Sequence, residues 1–142
     1  MRFFKHTILL FFTTLFVQVI SAQDPADADE HFKNTNYPFA LDLYSKLVKT
    51  QPDVFLFQYR AGYSIMHIEM DRKKAIPYLE KAVDLEPDNS DAHYWLGRAY
   101  HHALKLDKAE EEFNKYKSIS KRNYDDEINL SISWVNNAKE LI

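Results

Sequence analysis

The chain has 142 residues, 18 basic and 21 acidic side chains, six histidines and no cysteine, a length that suits one domain. Disulfides, thiolate metal sites and cysteine nucleophiles are excluded. A net charge of −3 argues against nucleic acid and anionic lipid surfaces, which are bound by Lys and Arg neutralising phosphates.

In chain order, Arg2 and Lys5 precede a fourteen-residue, almost unbroken apolar run from Thr7 to Ile20, followed by Ser21 and small Ala22. A positive flank, a short apolar core and a small residue before a polar stretch describe a secretory signal peptide over residues 1–22, cleaved after Ala22. The run is shorter than the roughly 20 apolar residues a membrane span requires, so no transmembrane segment is expected after cleavage. Cleavage would remove two basic residues and no acid, leaving a net charge of −5. An exported domain without disulfides must be held by its own core, and the remaining 120 residues are enough to build one.

Three later segments align: YPFALDLYSKLVKTQP (Tyr37 to Pro52), KKAIPYLEKAVDLEP (Lys73 to Pro87) and DKAEEEFNKYKSISK (Asp107 to Lys121). In each, an Ala is followed four residues later by a large side chain (Ala40–Tyr44, Ala75–Leu79, Ala109–Phe113) and seven residues later by Leu47, Ala82 or Tyr116. The three Ala lie 35 and 34 residues apart, and Gly62 and Gly97, the only glycines, lie 35 apart in the intervening segments FQYRAGYSIMHIE and AHYWLGRAYHHAL. Apolar residues at helical spacing, such as Ile76, Leu79 and Val83, predict helices throughout. Glycine inside a helix costs about 1 kcal/mol relative to Ala, so two at matching places imply close helix crossings. Asp53, Asp71 and Ser90 are the expected N-caps. Pro77 fits a helix interior badly; the helix is either kinked there or starts late, near Lys74, and the late start is the better reading.

Residues 123–142 predict one more amphipathic helix. Ile128, Ile132, Trp134 and Val135 should seal the third unit, with Asn129, Ser133, Asn136 and Glu140 turned to solvent. The sequence stops on Leu141–Ile142 without a capping glycine or polar tail, which suits a boundary within a longer protein as readily as a true terminus.

On Leu96, Gly97, Tyr100, Ala109 and Phe113, on Gly62, Ala75, Leu79, Ala82 and Pro87, and on Ala40, Tyr44 and Pro52, the chain resembles the tetratricopeptide-repeat (TPR) family, whose unit is two antiparallel helices over about 34 residues. The resemblance implies an all-α helix-turn-helix solenoid of about 2.5–3 repeats (25–52, 53–87 and 88–121), with a short, degenerate first helix and a C-terminal capping helix over 123–142. It also implies a concave groove lined by the first helix of each pair, taking a protein or peptide partner. Helical spacing then places Tyr59, Tyr63, Met66, His67, Tyr94, Arg98, His101 and His102 on that face, although any of the tyrosines could instead pack between helices. Some relatives grip a terminal carboxylate with Lys and Asn, where this chain has Tyr59, Tyr63, Tyr94 and Arg98, and that departure argues against the same clamp.

The segment KKAIPYLEKAVDLEPDNSDAHYWLGRAYHHALKLDKAEEEF, Pro77 included, is similar to the N-terminal region of Bacteroidota envelope proteins that continue into a β-propeller and an OmpA-like domain. That likeness implies a scaffold in the periplasm or at the outer membrane; no such further domains occur in these residues. The alternative reading is a periplasmic small-ligand-binding helical-repeat protein, which a deep apolar pocket would favour. Partner identity and oligomeric state stay open.

Catalysis finds no foothold in the sequence. No Ser sits in a G-x-S-x-G elbow, and no histidine pair has the spacing of H-E-x-x-H. No metal or cofactor is expected. Glu110, Glu111 and Glu112 read as a solvated helix face, and the acidic stretch from Asp84 to Asp91 as an inter-unit turn rather than a calcium loop. His93 reads as a packing or groove-lining residue.

Overall fold

The computed structural model describes residues 24–68, 71–120 and 125–141. The signal-peptide reading of residues 1–22 lies outside them. Among the described residues there are seven α-helices and no strand: α1 (Pro25–Lys33), α2 (Tyr37–Thr50), α3 (Phe55–His67), α4 (Ile76–Leu85), α5 (Ser90–His102), α6 (Leu106–Ile119) and α7 (Asp125–Glu140), with a 3-10 turn (Arg72–Ala75) leading into α4. No helix among them is long and apolar enough to cross a membrane. Each helix packs on the next in sequence, and α3 also touches α5. The fold is thus a stack of three helix pairs closed by α7, the solenoid expected from the 34-residue period.

The aligned Ala positions explain the stacking. Ala28, Ala40, Ala61, Ala75, Ala82, Ala92, Ala99 and Ala109 are all fully buried. At helix crossings a methyl group lets backbones approach while Tyr44, Leu47, Leu79 and Phe113 fill the adjoining holes. Two buried clusters result, one around Tyr44 in the first pair and one running from Ile65 to Val135, with Leu41 and Tyr78 packed against both.

Polar ties cross the same interfaces. The Tyr44 hydroxyl donates to Asp29 at 2.6 Å, and Arg60 donates to both Asp29 and Tyr44, so α1, α2 and α3 share one network. Burial and the Asp29 carboxylate push the Tyr44 hydroxyl well above the ordinary phenol range. The Tyr100 hydroxyl donates to Glu80 at 2.5 Å, linking α5 to α4.

Two caps differ from expectation. Asn89, rather than Ser90, caps α5 by accepting from Ala92 N–H, and α3 is preceded by Val54 with no side-chain cap, while Asp53 pairs with Lys81 at 2.8 Å. Asp71 does cap, accepting from Lys73 N–H at the 3-10 turn. Pro77 lies in the first turn of α4, where its missing N–H removes no helical bond. The late start holds, two residues beyond Lys74.

The C-terminal helix covers the third pair with Ile128 and Val135, both buried, and with half-buried Ile132. Trp134, expected in that seal, is 46% exposed. It lies one residue before Val135 and so falls beyond the edge of the buried stripe. Glu112 is likewise a correction: it is buried against His93, whereas Glu111 pairs with exposed Lys115.

Candidate functional site

Along α3, Phe55, Tyr59, Tyr63 and His67 recur every four residues and therefore share one face. Their rings form a ladder: Phe55–Tyr59 stacked at 5.5 Å, Tyr59–Tyr63 at 5.9 Å and Tyr63–His67 stacked at 4.0 Å. From α5, Trp95 meets Tyr63 edge-on at 4.8 Å and His67 at 4.8 Å, while Tyr94 meets Trp95 at 5.1 Å and Tyr116 of α6 at 5.6 Å. From α1, Phe32 approaches Tyr63 at 5.2 Å. These centroid spacings and tilted geometries are those of favourable aromatic pairs.

The rings floor a groove of about 460 Å³ lined by Phe32, Tyr59, Tyr63, Asp91, Tyr94, Trp95, Arg98 and Tyr116. Four of the eight residues assigned to the groove from sequence thus come together there: Tyr59, Tyr63, Tyr94 and Arg98. His67 borders it, its ring stacked on Tyr63 and its Nδ1 2.8 Å from the Tyr63 carbonyl. Met66 does not line it. It is buried in the core beside Ile65 and Tyr100, because its position on α3 faces inward toward the second helix layer. His101 and His102 lie further along α5, lining a separate small pocket against α7.

Sequence reasoning missed Phe32, Asp91, Trp95 and Tyr116. Trp95 and Asp91 flank the Tyr94 face of α5 closely enough for a wider helical arc to have included them. Tyr116, seven residues after the aligned Ala109, is 6% exposed in the core and also lines the groove.

The charge in this lining comes from Arg98 and Asp91. Arg98 lies over Tyr94 and Trp95, 5.7 and 5.4 Å from their centroids, and donates to the Tyr94 hydroxyl at 3.2 Å. Burial, with Asp91 nearby, raises the Tyr59 hydroxyl above the ordinary phenol range, and burial with neighbouring Tyr37 raises Tyr63. Both therefore stay protonated as hydrogen-bond donors at neutral pH. Such a surface is equipped to stack on rings and peptide planes, to donate hydrogen bonds and to meet one charge of each sign.

His93 is elsewhere, buried between α5 and α6. Its Nδ1 is 2.5 Å from Glu112 and its Nε2 2.8 Å from the Pro87 carbonyl. With both nitrogens facing acceptors, the doubly protonated ring is favoured, and the Glu112 hydrogen bond leads in raising its pKa. Among the described residues no three His, Cys, Asp or Glu side chains are grouped to hold a metal ion.

Comparisons with known proteins agree with this architecture. Residues 69–123 match the tetratricopeptide repeat model. No curated protein matches the sequence. Among solved structures, the first TPR of Spaghetti (RPAP3) bound to an HSP90 peptide is similar at 18% identity with a TM-score of 0.69, covering 81% of this chain and 89% of that one. The TPR2B domain of yeast Sti1 in complex with pHsp70 is similar at 15% identity and 0.67, covering 80% and 93%. The Yersinia enterocolitica type III secretion chaperone SycD with a YopD peptide is similar at 14% identity and 0.63, covering 81% and 88%. At these identities the likeness is one of fold. With the repeat matched over 69–123 and the helix pairs stacked as described, the chain folds as a tetratricopeptide-repeat solenoid.

Proposed function

We propose that the chain is a scaffold that holds a peptide segment of a protein partner in the groove floored by Tyr59, Tyr63, Tyr94 and Trp95, and that it does so after export, in the cell envelope. The carrying observation is that continuous aromatic floor, edged by Arg98 and Asp91. Aromatic rings and Arg are the side chains that most often dominate protein interfaces. The neighbours RPAP3 and SycD were solved with peptides bound, which supports a peptide as occupant here. The groove is an open channel with polar and apolar walls, which favours the scaffold over a binder of small molecules, whose sites are deep and mostly apolar.

The envelope setting rests on the sequence: the signal-peptide pattern of residues 1–22 and the similarity of the repeat segment to Bacteroidota OmpA-family proteins. Affinity capture of the full chain from envelope extract, in parallel with Tyr63→Ala and Arg98→Ala, tests the proposal. A small set of envelope proteins retained by the wild type and lost from both folded variants is the expected result. Capture indifferent to both substitutions, or the protein found uncleaved in the cytoplasm, would overturn it.

A further inference from the structure

The last turns of α5 present a second face, toward α7. Arg98, His101 and His102 meet Phe113 of α6 and Ser131 and Trp134 of α7 around a cavity of about 110 Å³. The two imidazoles lie 6.1 Å apart. Three nitrogen-bearing side chains converge on one small space, and among the described residues no carboxylate lines it. Arg60, Lys81, Lys115 and Lys139 each pair with a carboxylate; the Arg98 guanidinium lies over the Tyr94 and Trp95 rings and donates to the Tyr94 hydroxyl, and among the described residues it makes no ion pair.

The electrostatics of the cavity follow from this. Partial burial comes first in holding both histidines below the usual imidazole range; the Arg98 charge adds to it at His101, and Arg72 of the 3-10 turn followed by Arg98 at His102, which keeps an exposed edge. The pocket thus resists a further positive charge when empty. An anion placed there would reverse the balance, since it is attracted to Arg98 and favours the charged form of each ring beside it.

We propose that this cavity is an oxyanion-binding site, taking a carboxylate or a sulfate-like group between Arg98, His101 and His102, with Ser131 and Trp134 closing it from α7. The site requires no peptide in the groove, although Arg98 lines both spaces. Because each ring takes up a proton as the anion binds, affinity rises as pH falls, by up to about tenfold per pH unit for each proton taken up. The charged groups acting on the rings are Arg98 from α5 and Arg72 from the 3-10 turn, and among the described residues no titratable group lines the pocket from α6 or α7.

The full chain, with isotopically labelled histidine, is titrated with sodium sulfate and with sodium acetate while the imidazole resonances are followed by NMR at about pH 8 and about pH 6, spanning the ordinary histidine value. Neither anion changes its own protonation in that window. Saturable shifts of the His101 and His102 signals are expected, with affinity at least about tenfold higher at the lower pH, and lost in Arg98→Gln and in the His101→Asn/His102→Asn double variant. Unchanged spectra of the remaining histidines report that each variant is folded. The blocked peptides Gly-Asp-Gly and Gly-Asn-Gly separate the sources. Binding of the Asp peptide alone identifies an acidic side chain of a partner, and binding of sulfate alone a free inorganic anion. Signals that do not move, shifts that survive the substitutions, or an affinity independent of pH would each overturn the site.

Discussion

Gly97 lies against the ring of Phe113 so closely that a Cβ built on it would come within 2.8 Å of two ring carbons. One repeat earlier, a Cβ on Gly62 would fall 2.6 Å from Leu79 Cγ. Each glycine thus marks where the first helix of a pair meets the large residue four positions after the aligned Ala of the second. In an exposed helix Gly→Ala gains about 1 kcal/mol; here the methyl group must displace a side chain that is at most 1% exposed, and overpacking a tight core costs about 1–3 kcal/mol. The clash wins. Gly97→Ala and Gly62→Ala should each lower stability by about 1–2 kcal/mol in urea denaturation, and Gly97→Ala/Phe113→Leu should recover part of the loss. A Gly97→Ala variant as stable as the wild type would show that Phe113 is not confined by this crossing.

The cap of the solenoid makes a sharper contrast between adjacent residues. Val135 is fully buried and Ile128 2% exposed, while Trp134 is 46% exposed. Lys139 fastens the same helix to α6 through Asp107 at 2.8 Å and Glu110 at 2.6 Å. Ile128→Ala should cost about 2–4 kcal/mol through lost burial and the cavity left behind. Trp134→Ala should stay within about 1 kcal/mol, since surface substitutions away from packed or capped features change little. Removing residues 123–142 should lower the melting temperature by more than Ile128→Ala does. Equal effects of Trp134→Ala and Ile128→Ala in thermal melts would place the tryptophan in the seal after all.

The helix pairs were legible in the sequence because their signal is local and repeated: an Ala, a large side chain one turn later and a glycine at fixed distance report the same crossing each time. The late start at Pro77 was legible for a similar reason, since proline excludes all but the first turn. Residues whose environment depends on a distant partner were not. Glu112 looked like part of a solvated acidic run because the residue that buries it, His93, lies nineteen positions earlier. Met66 and His67 occupy neighbouring positions on one arc, and only the packed second layer decides that the first is core and the second borders the groove. His101 and His102 continue the face of Tyr94 and Arg98, but at that end of α5 they line a separate pocket together with Ser131 and Trp134 of α7.

Two turns share a strained residue. Thr35 after α1 and Leu104 after α5 both have φ of 56°, the left-handed region that disfavours side chains with a Cβ. In both turns the following amide reaches back to the helix, Asn36 N–H to the His31 carbonyl and Lys105 N–H to the Tyr100 carbonyl, as in a helix C-terminus closed by glycine or asparagine. Leu104 is also 67% exposed, so its side chain contributes little packing in return. Leu104→Asn should therefore stabilise the fold by about 0.5–1 kcal/mol, seen as a higher melting temperature with unchanged helix content. A lower melting temperature would mean that Leu104 makes a contact worth more than the strain.

The buried His93–Glu112 pair gives stability a pH dependence of defined sign. In the folded chain the Glu112 hydrogen bond leads in raising His93, helped by the Pro87 carbonyl and opposed by burial and by Lys115. In the unfolded chain His93 titrates near 6.5. Below that pH it is protonated in both states and the pair's full contribution is present. As pH rises above about 6.5 the unfolded chain releases its proton first, and the contribution declines until pH passes the raised folded value. His101 and His102, shifted the other way, act below 6.5 instead, so the two effects occupy different windows. The wild type should lose stability as pH rises above about 6.5, and Glu112→Gln, which keeps the shape but removes the charge, should flatten that decline. Glu112→Ala should cost about 3 kcal/mol by leaving the buried ring without its partner. Urea midpoints measured across this range for wild type and Glu112→Gln check the sign: parallel curves would mean that His93 is neutral in the folded chain and that the 2.5 Å contact is a hydrogen bond to a protonated carboxyl.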